Sequence, residues 1–207
     1  TLEGAPVFEV TKLELEALTQ GAVHQGVAME IAAYDYADAL ELLDRVSATG
    51  RKPLFVALDQ VTDPHNLGAV LRSAGAFGAD GVIIPQRRSA DVNATVWKVS
   101  AGAAARVPVA KETNLVRTLE AFKARGCFVV GLDGNASVSV DNLNLADQPL
   151  VLVTGAEGKG LSRLVRQTCD EIASINIRAA VESLNAAVAT GIALYEVDRV
   201  RRTTQGN

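Results

Sequence analysis

The sequence has few of the features that mark secreted, metal-binding or membrane-spanning proteins. It has only 2 cysteines among 207 residues, Cys127 and Cys169, and their separation fits neither a disulfide framework nor the paired ligands of a zinc site. Its longest apolar runs are the length of strands, so no segment is predicted to cross a membrane. The first residues lack the basic stub and apolar core of a secretion signal. These absences favour a globular protein in a reducing cytoplasm.

Acidic residues slightly outnumber basic ones, with 24 Asp and Glu against 20 Lys and Arg and a formal net charge of -4. A protein that binds nucleic acid usually carries a basic excess, because many of its contacts are to phosphates. Any such role must therefore rest on local clusters of positive charge. Four clusters are present: Arg51 with Lys52; Arg87 with Arg88; Lys159 with Arg163 and Arg166; and Arg199 with Arg201 and Arg202. Ordinary solvated surface charge is the alternative interpretation of each cluster.

The first thirty or so residues are predicted to be the end of a preceding domain. Thr11 and Glu14 form a capping box for a short helix over 12–18, and a strand is predicted over 27–31. So small a helix and strand cannot bury a core of their own, and the chain begins without methionine. We therefore expect residues 1–33 to be the remnant of an N-terminal domain and residues 34–207 to be the principal domain.

From residue 36 onward, helical periodicity alternates with short apolar runs, which is typical of strand–helix units that feed a parallel sheet. Helices are predicted over 36–49, 67–78, 93–104, 114–125, 161–168 and 185–200. Strands are predicted over 54–58, 81–84, 107–110, 127–132, 150–154 and 171–175. The apolar runs do not alternate with polar residues, so the strands should be buried on both faces. The expected fold is α/β, with a parallel sheet flanked by helices.

The first polar segment of interest is DPHNLGAVLRSA, over 63–74, which follows a predicted buried strand and enters a helix. Ligands of open α/β sheets bind beyond the carboxyl ends of the strands. Asn66 and Arg72 therefore lie near an expected binding place. The structural alternative is that Asn66 only caps the helix and that Arg72 is a solvated helix residue.

The second segment is LVLVTGAEGKGL, over 150–161, in which three glycines follow an apolar strand. Glycines at such a place allow a ligand to approach the backbone closely, and this is predicted at Gly155. The spacing fits neither of the common phosphate-binding patterns, and Glu157 would put an anion among phosphates. A cationic sulfonium cofactor or a reacting hydroxyl tolerates that carboxylate far better. A tight turn without function is the alternative.

The third segment, INIRAAVESLNAAVATG over 175–191, leads into the last helix. Ser183 or Asn185 can cap this helix, which is an alternative to a functional role for either residue. The helix itself has little polar face in its first three turns. A helix that is apolar nearly all round is buried, either in the core or against a partner.

Taken together and in this order, three runs resemble the signature motifs of the SpoU (TrmH-type) branch of the SPOUT methyltransferases. They are DPHNLGAVLRSAGAFGADGVI, LVTGAEGKGLSRL and VESLNAAVATGIALYE. The resemblance covers residues from about 54 to 200 and includes SADVNATVWKVSAGAA between the first two motifs. The N-terminal part, ending AVHQGVAMEI, resembles the exit from the L30e-like RNA-binding domain of the 23S rRNA guanosine 2'-O-methyltransferase subgroup.

The resemblance implies a fold and an activity that patterning alone does not. It implies a parallel α/β domain with a C-terminal trefoil knot, a homodimer with its active site at the interface, S-adenosyl-L-methionine as cofactor, no metal, and 2'-O-methylation of RNA, at a guanosine of 23S rRNA. The family's cofactor-binding positions, which act largely through backbone groups, fall on Thr154, Gly155, Ile175 and Leu184. Its polar catalytic positions fall on Asn66, Arg72, Glu157, Ser183 and Asn185. Two positions depart from the family: Asn176 replaces a usual proline and Ala179 a usual glycine, which would alter the cofactor loop.

The chemistry of methyl transfer to a hydroxyl assigns roles to these side chains. Of the carboxylates in these segments, Glu157 is taken as the only one that can accept a proton near neutral pH, so it is the predicted proton acceptor. A guanidinium stays protonated, so Arg72 is assigned to an RNA phosphate or to the developing oxyanion. Asn66 and Asn185 would orient the hydroxyl and the loop. Two alternatives stay open: a tRNA or antibiotic-target rRNA 2'-O-methyltransferase, and a catalytically silent RNA-binding relative.

Overall fold

The N-terminal residues form a small unit of their own. The computed structural model describes residues 6–178 and 183–205, and the chain divides after Tyr34 into two compact units. In the first unit, α1 (Lys12–Leu18) begins at the predicted capping box, in which the backbone N–H of Thr11 donates to Glu14 Oε2 over 2.7 Å. The predicted strand over 27–31 is wrong: this segment pairs with no strand in the described part of the chain, and Val27 is exposed.

The second unit is built on a seven-stranded sheet in which every strand pair is parallel. The strands are β1 (Leu54–Asp59), β2 (Gly81–Pro85), β3 (Val109–Glu112), β4 (Phe128–Leu132), β5 (Val138–Ser139), β6 (Leu150–Gly155) and β7 (Glu171–Ser174), in the order β3-β2-β1-β6-β4-β7-β5. Each residue of β1 and β6 is buried. This confirms the predicted parallel α/β fold, with strands covered on both faces.

Helices cover the two faces of this sheet. They are α2 (Ala39–Ala48), α3 (Pro64–Ala76), α4 (Ala94–Val99), α5 (Leu115–Ala124), α6 (Arg163–Thr168) and α7 (Ala186–Gln205), with 3₁₀ turns at Ala103–Ala105 and Val140–Asn142. On one face α2, α5 and α6 pack on the strands, where Phe122 meets Phe55 edge to face with ring centroids 5.1 Å apart. On the other face α3 packs against both α4 and α7. Within residues 6–178 and 183–205, no helix is both long and apolar enough to span a membrane.

Two predicted helix boundaries move for identifiable reasons. The helix α3 begins at Pro64 rather than 67, because Asp63 is its N-cap and accepts a hydrogen bond from the backbone N–H of His65 over 2.9 Å. Asn66 is therefore inside the first turn, and the interpretation of Asn66 as an N-cap is wrong. The helix predicted over 93–104 ends at Val99 and continues only as a 3₁₀ turn.

The C-terminal helix is held to the amino edge of the sheet by a single guanidinium. Arg201 donates to the backbone carbonyls of four residues at distances of 2.6–3.1 Å: Lys52, Pro53, Ala146 and Gln148. These carbonyls belong to the segments that lead into β1 and β6. Burial lowers the pKa of Arg201 from its usual value. The charge is thus used to satisfy backbone groups of the protein itself.

The two cysteines are free thiols. Burial raises the pKa of Cys127 and of Cys169 to about 11. Both thiols are therefore protonated at neutral pH, which removes the thiolate that nucleophilic or redox chemistry requires. Cys127 packs in the core beneath α2, α5 and α6.

Candidate active site

Three polar side chains that are far apart in the sequence meet at the carboxyl edge of the sheet. Asn66 lies in the first turn of α3 after β1, Glu157 in the loop after β6, and Asn185 directly before α7. The Asn66 Nδ2 donates to Glu157 Oε1 over 3.0 Å, and Asn185 Nδ2 donates to Glu157 Oε1 over 2.5 Å and to Asn66 Oδ1 over 2.8 Å. The structure thus brings three of the five predicted catalytic residues into one hydrogen-bonded cluster.

The orientation of the Asn185 amide follows from its second role as a helix cap. Its Oδ1 accepts hydrogen bonds from the backbone N–H groups of Ala187 over 2.9 Å and Val188 over 3.1 Å. Because only the oxygen of the amide can accept, Nδ2 must face Asn66 and Glu157. The cap and the polar cluster are therefore two functions of one side chain rather than alternatives.

The carboxylate of Glu157 is held by the beginning of α7. Its Oε1 also accepts from the backbone N–H of Ala186 over 3.3 Å, so three donors converge on this one oxygen. The positive end of a helix dipole favours an anion at this place. Glu157 nevertheless remains exposed, and its Oε2 accepts no hydrogen bond from the described residues. One oxygen is held in place while the other is open to a ligand.

A cleft of about 310 Å³ lies next to this cluster, at the carboxyl ends of β4, β6 and β7. Its walls include all four predicted cofactor-binding residues and two of the predicted catalytic ones: Thr154, Gly155, Ile175, Leu184, Glu157 and Ser183. Leu132, Ala173, Ile177, Ala186 and Ala189 add apolar surface. The cleft lies between three loops that are far apart in the sequence and that follow the carboxyl ends of strands. This is the position expected for a ligand of a parallel α/β sheet.

Sequence reasoning missed the loop after β4, which supplies Asp133, Gly134 and Asn135 to the cleft. Asp133 Oδ1 accepts from the backbone N–H of Asn135 over 2.9 Å, and Asp133 Oδ2 pairs with Arg166 of α6. A turn-forming Asp-Gly directly after a buried strand was the available signal, since it marks another carboxyl strand end.

The glycine at the end of β6 is required by the protein's own backbone. A Cβ on Gly155 would lie 2.2 Å from the carbonyl carbon of Gly160 and 2.5 Å from the nitrogen of Leu161. The loop returns across the strand end in this way because Gly160 N–H donates to the carbonyl of Ala156 over 2.8 Å. A side chain at Gly155 would therefore displace this loop before it could meet a ligand.

The side chain of Thr154 is not available to a ligand. Thr190 Oγ1 donates to the carbonyl of Ala186 over 2.7 Å, and the Oγ1 atoms of Thr154 and Thr190 are 2.7 Å apart. Since Thr190 has a single hydroxyl proton, Thr154 is the donor to Thr190. This buried chain ties β6 to α7. Only backbone groups of Thr154 can serve the cleft.

Arg72 and the family-divergent Asn176 take no part in this hydrogen-bonded cluster. Arg72 is exposed on α3 and makes no hydrogen bond or ion pair with the part of the chain that the structure describes. It does not meet Glu157 within one chain. Asn176, which replaces the family's proline, donates through Nδ2 to Ser139 Oγ over 3.1 Å. Ala179 lies outside the described residues.

An open apolar groove of about 460 Å³ runs between α3 and α7. It is lined by Ala69, Ser73, Phe77, Asn185, Ala187, Val188, Gly191, Ile192 and Tyr195. Of these, Val188 is 50% exposed and Tyr195 is 48% exposed, although the Tyr195 ring packs on Phe77 with centroids 5.7 Å apart. The predicted burial of α7 is therefore only partial within a single chain.

The fold and the site define a parallel α/β protein with a cleft beyond the carboxyl ends of its strands. A model of the SpoU rRNA Methylase family matches residues 53–195, and a model described as RNA 2'-O ribose methyltransferase substrate binding matches residues 2–37. The chain belongs to the SpoU rRNA methylase family.

Similar proteins come from mycobacteria and from solved structures. The "Uncharacterized tRNA/rRNA methyltransferase" of Mycobacterium ulcerans is 52% identical over 201 residues, which span 97% of this chain and 64% of the relative. The protein of the same name in Mycobacterium tuberculosis strain H37Ra is 50% identical over 200 residues, 96% of this chain and 61% of the relative. The chain thus spans a little under two thirds of the length of these relatives.

Two solved structures resemble the chain in fold. The SpoU methyltransferase AviRb from Streptomyces viridochromogenes, in complex with the cofactor AdoMet, has a TM-score of 0.72 and 29% identity, covering 94% of this chain and 81% of that one. The TrmH/SpoU tRNA modifying enzyme of A. aeolicus has a TM-score of 0.67 and 30% identity, covering 80% and 86%.

Proposed function

We propose that this chain is the catalytic part of an RNA methyltransferase that transfers a methyl group from S-adenosyl-L-methionine to the 2'-hydroxyl of a ribose. The observation that carries this proposal is the cluster of Asn66, Glu157 and Asn185 on the rim of the cleft. The AdoMet complex of AviRb supports the cofactor, and the family match over residues 2–37 supports a ribose 2'-hydroxyl as acceptor.

The cleft suits this cofactor chemically. It combines apolar surface for an adenine ring, from Ile175, Ile177 and Leu184, with the carboxylate of Glu157. The carboxylate of Asp133 also lines the cleft but is paired with Arg166. Carboxylates favour a cationic sulfonium and disfavour a nucleoside triphosphate. Backbone groups of 154–156 and of 175–177 would hold the cofactor, which when bound supplies a methyl group on a positively charged sulfur.

The remaining work falls to side chains of the protein. An in-line displacement requires that the ribose hydroxyl be aligned and that its proton be accepted. Glu157 fits the second task, because its Oε1 is held by three donors while Oε2 is open. Asn66 and Asn185 fix the carboxylate, and Ser183, on the cleft wall, orients the cofactor loop. No step requires a metal.

The substrate is proposed to be a guanosine of 23S rRNA. We assign residues 1–33 to the remnant of an L30e-like RNA-binding domain and residues 34–207 to the catalytic domain with a C-terminal trefoil knot. A tRNA substrate is the second candidate, favoured by the printed names of the mycobacterial relatives and of the A. aeolicus enzyme. Mapping of 2'-O-methyl groups in rRNA and tRNA from a deletion strain separates these two substrates.

We further propose a homodimer in which a second copy covers the groove between α3 and α7. Arg72 lies one helical turn from Ala69, which lines the groove, so a partner seated there would bring Arg72 towards the partner's active site. Arg72 then contacts an RNA phosphate or the developing oxyanion across the interface. This accounts for the separation of Arg72 from Glu157 in one chain.

Mixing two inactive variants tests this shared site. After subunit exchange in the full-length protein, Arg72→Ala with Asn185→Ala should restore activity. Statistical exchange makes about half of the dimers mixed, each with one intact site, so recovery should approach roughly a quarter of wild-type sites. Native mass spectrometry confirms that mixed dimers have formed. If they show no recovery of activity, each subunit carries a full site of its own.

Two measurements test the proposed reaction itself. Isothermal titration should detect binding of S-adenosyl-L-methionine to the wild-type chain. Nuclease digestion and mass spectrometry of RNA treated with the full-length protein should then detect 2'-O-methyl nucleosides. Cofactor binding without methyl transfer to any RNA, or methylation of a base instead of a ribose, would contradict the proposal.

A further inference from the structure

Of the four basic clusters in the sequence, one has no partner in the described part of the protein. In the other three, all side chains but that of Lys159 are held by carboxylate, carbonyl or amide oxygens: Arg51, Lys52, Arg163, Arg166, Arg199, Arg201 and Arg202. By contrast Arg87 and Arg88 are exposed and make no hydrogen bond or ion pair with the described residues. These two charges are therefore free to meet a ligand.

The free pair stands at the same edge of the sheet as Glu157. It follows directly after the end of β2, and the strand order β2-β1-β6 puts that end two strands from the end of β6. Neighbouring strands lie about 4.8 Å apart, so the two strand ends are roughly 10 Å from each other. The cofactor cleft lies on the opposite side of β6, at β4 and β7. The pair and the cleft thus flank the polar cluster.

The loop that carries the pair is anchored at both ends. The Gln86 N–H donates to the carbonyl of Glu112 over 2.8 Å, and the Ala90 N–H donates to the carbonyl of Val61 over 2.9 Å. Val61 is buried in the loop that leads from β1 to Asn66. Arg88 has a φ of 58°, in the left-handed region that a residue with a side chain seldom adopts. Such conformations persist where the surroundings impose them, and they concentrate at ligand sites.

The acid nearest in sequence does not neutralise the pair. Asp91 forms an ion pair with Lys111, and its Oδ1 accepts a hydrogen bond from the Tyr36 hydroxyl over 3.3 Å. The hydroxyl of Tyr36 in turn accepts from the Val92 N–H over 3.0 Å. The carboxylate is thereby engaged within the loop, and the two guanidinium charges keep their attraction for an outside anion.

We propose that Arg87 and Arg88 bind the phosphate backbone of the substrate RNA. The RNA then brings a ribose to Glu157 from the β1–β2 side of β6, while the cofactor cleft lies on its β4–β7 side. This inference rests on the proposed function and adds to it the path of the RNA. Guanidinium groups suit phosphate because they donate two parallel hydrogen bonds to its oxygens. The overall negative charge of the chain leaves phosphate binding to such local sites.

The salt dependence of RNA binding tests this site. Binding of a fluorescein-labelled single-stranded RNA of mixed sequence to the whole chain is measured by anisotropy at several salt concentrations. Each phosphate contact contributes about 0.7 to the slope of log K against log salt for a single strand. The double variant Arg87→Gln with Arg88→Gln should therefore lower the slope by roughly 1.4. Affinity for S-adenosyl-L-methionine, measured by calorimetry, should stay unchanged.

The matched control removes the same charge from the amino edge of the sheet. Arg45→Gln with Arg106→Gln alters two exposed arginines, one in the last turn of α2 before β1 and one in the turn before β3, and neither side chain has a partner in the described residues. This control should keep the wild-type slope. An unchanged slope in the first variant, or an equal drop in both, would overturn the proposal and leave the pair for a protein partner. If the slope drops as expected but the wild type transfers no methyl group, the RNA site stands and the proposed reaction fails.

Discussion

Charged side chains make different contacts at the amino edge of the sheet, where the strands begin, and at the carboxyl edge, where they end. At the amino edge, Arg201, Arg51 and Lys52 are held by backbone carbonyls or by carboxylates of the protein. At the carboxyl edge, Glu157 is exposed with one free oxygen and the pair Arg87–Arg88 has no described partner. The same strands therefore end in a closed edge that stabilises the fold and an open edge that can meet a ligand. Substitutions at the two edges should separate stability from activity.

The largest effect is expected at Glu157. Glu157→Gln keeps an oxygen that can accept from Asn66 and Asn185 but removes the proton acceptor. The rate of methyl transfer in single-turnover experiments should fall about 100- to 10,000-fold. The free energy of unfolding should fall by no more than about 1 kcal/mol, because the Gln oxygen can still accept hydrogen bonds and only the charge at the start of α7 is lost. A rate within about tenfold of the wild type would remove Glu157 from proton transfer.

The next largest effect is expected at the amino edge. Arg201→Met leaves four backbone carbonyls without their charged donor and should lower the free energy of unfolding by about 3 kcal/mol. Urea denaturation measures this loss. Arg202→Met is the control, because its exposed pair with Asp198 should contribute only about 0.5 kcal/mol. Methyl transfer per folded molecule should stay at the wild-type rate in both variants. Equal losses of unfolding free energy in the two variants would show that the carbonyl contacts do not stabilise α7.

A smaller effect is expected at the loop after β6. Gly155→Ala must displace the backbone at Gly160, because the added Cβ would come within 2.2 Å of it. We expect a loss of about 1–3 kcal/mol in unfolding free energy and a weaker affinity for the cofactor. Gly134→Ala has open space around the new Cβ and serves as the control, with a change within about 0.5 kcal/mol. A native-like stability for Gly155→Ala would mean that the loop yields without cost.

The smallest effect is expected at Asn176. Asn176→Ala removes one exposed hydrogen bond to Ser139, which should cost about 0.5–1 kcal/mol in cofactor binding free energy if this bond shapes the loop. Ser139→Ala should have the same effect, and the double variant should lose no more than either single one. Calorimetry on the three variants gives this cycle. Additive losses would show that the two side chains act independently.

The strands were predictable because a buried parallel strand leaves an unbroken apolar run, as in β1 and β6. The two-residue β5 was missed, since Val138–Ser139 is too short to form a pattern. The segment 27–31 was predicted as a strand although it has none, because an apolar run indicates a strand only where another strand is there to pair with it. Pro64 lay outside the helix predicted over 67–78, whereas it occupies the first position of α3.

The sequence by itself determined most of the strands and helices, the burial of β1 and β6, and the loops in which Asn66, Glu157 and Asn185 lie, because these depend on local pattern and on motifs. Only the tertiary structure decided that these residues, separated by 28 to 119 positions, share hydrogen bonds. It also decided that Arg72 lies apart from them. The same holds for the two arginines Arg201 and Arg87, of which Arg201 binds backbone carbonyls of the protein whereas Arg87 has no described partner. Contacts of this kind depend on which strand ends become neighbours in the sheet. The pattern of side chains along the sequence does not specify the distance between two strand ends.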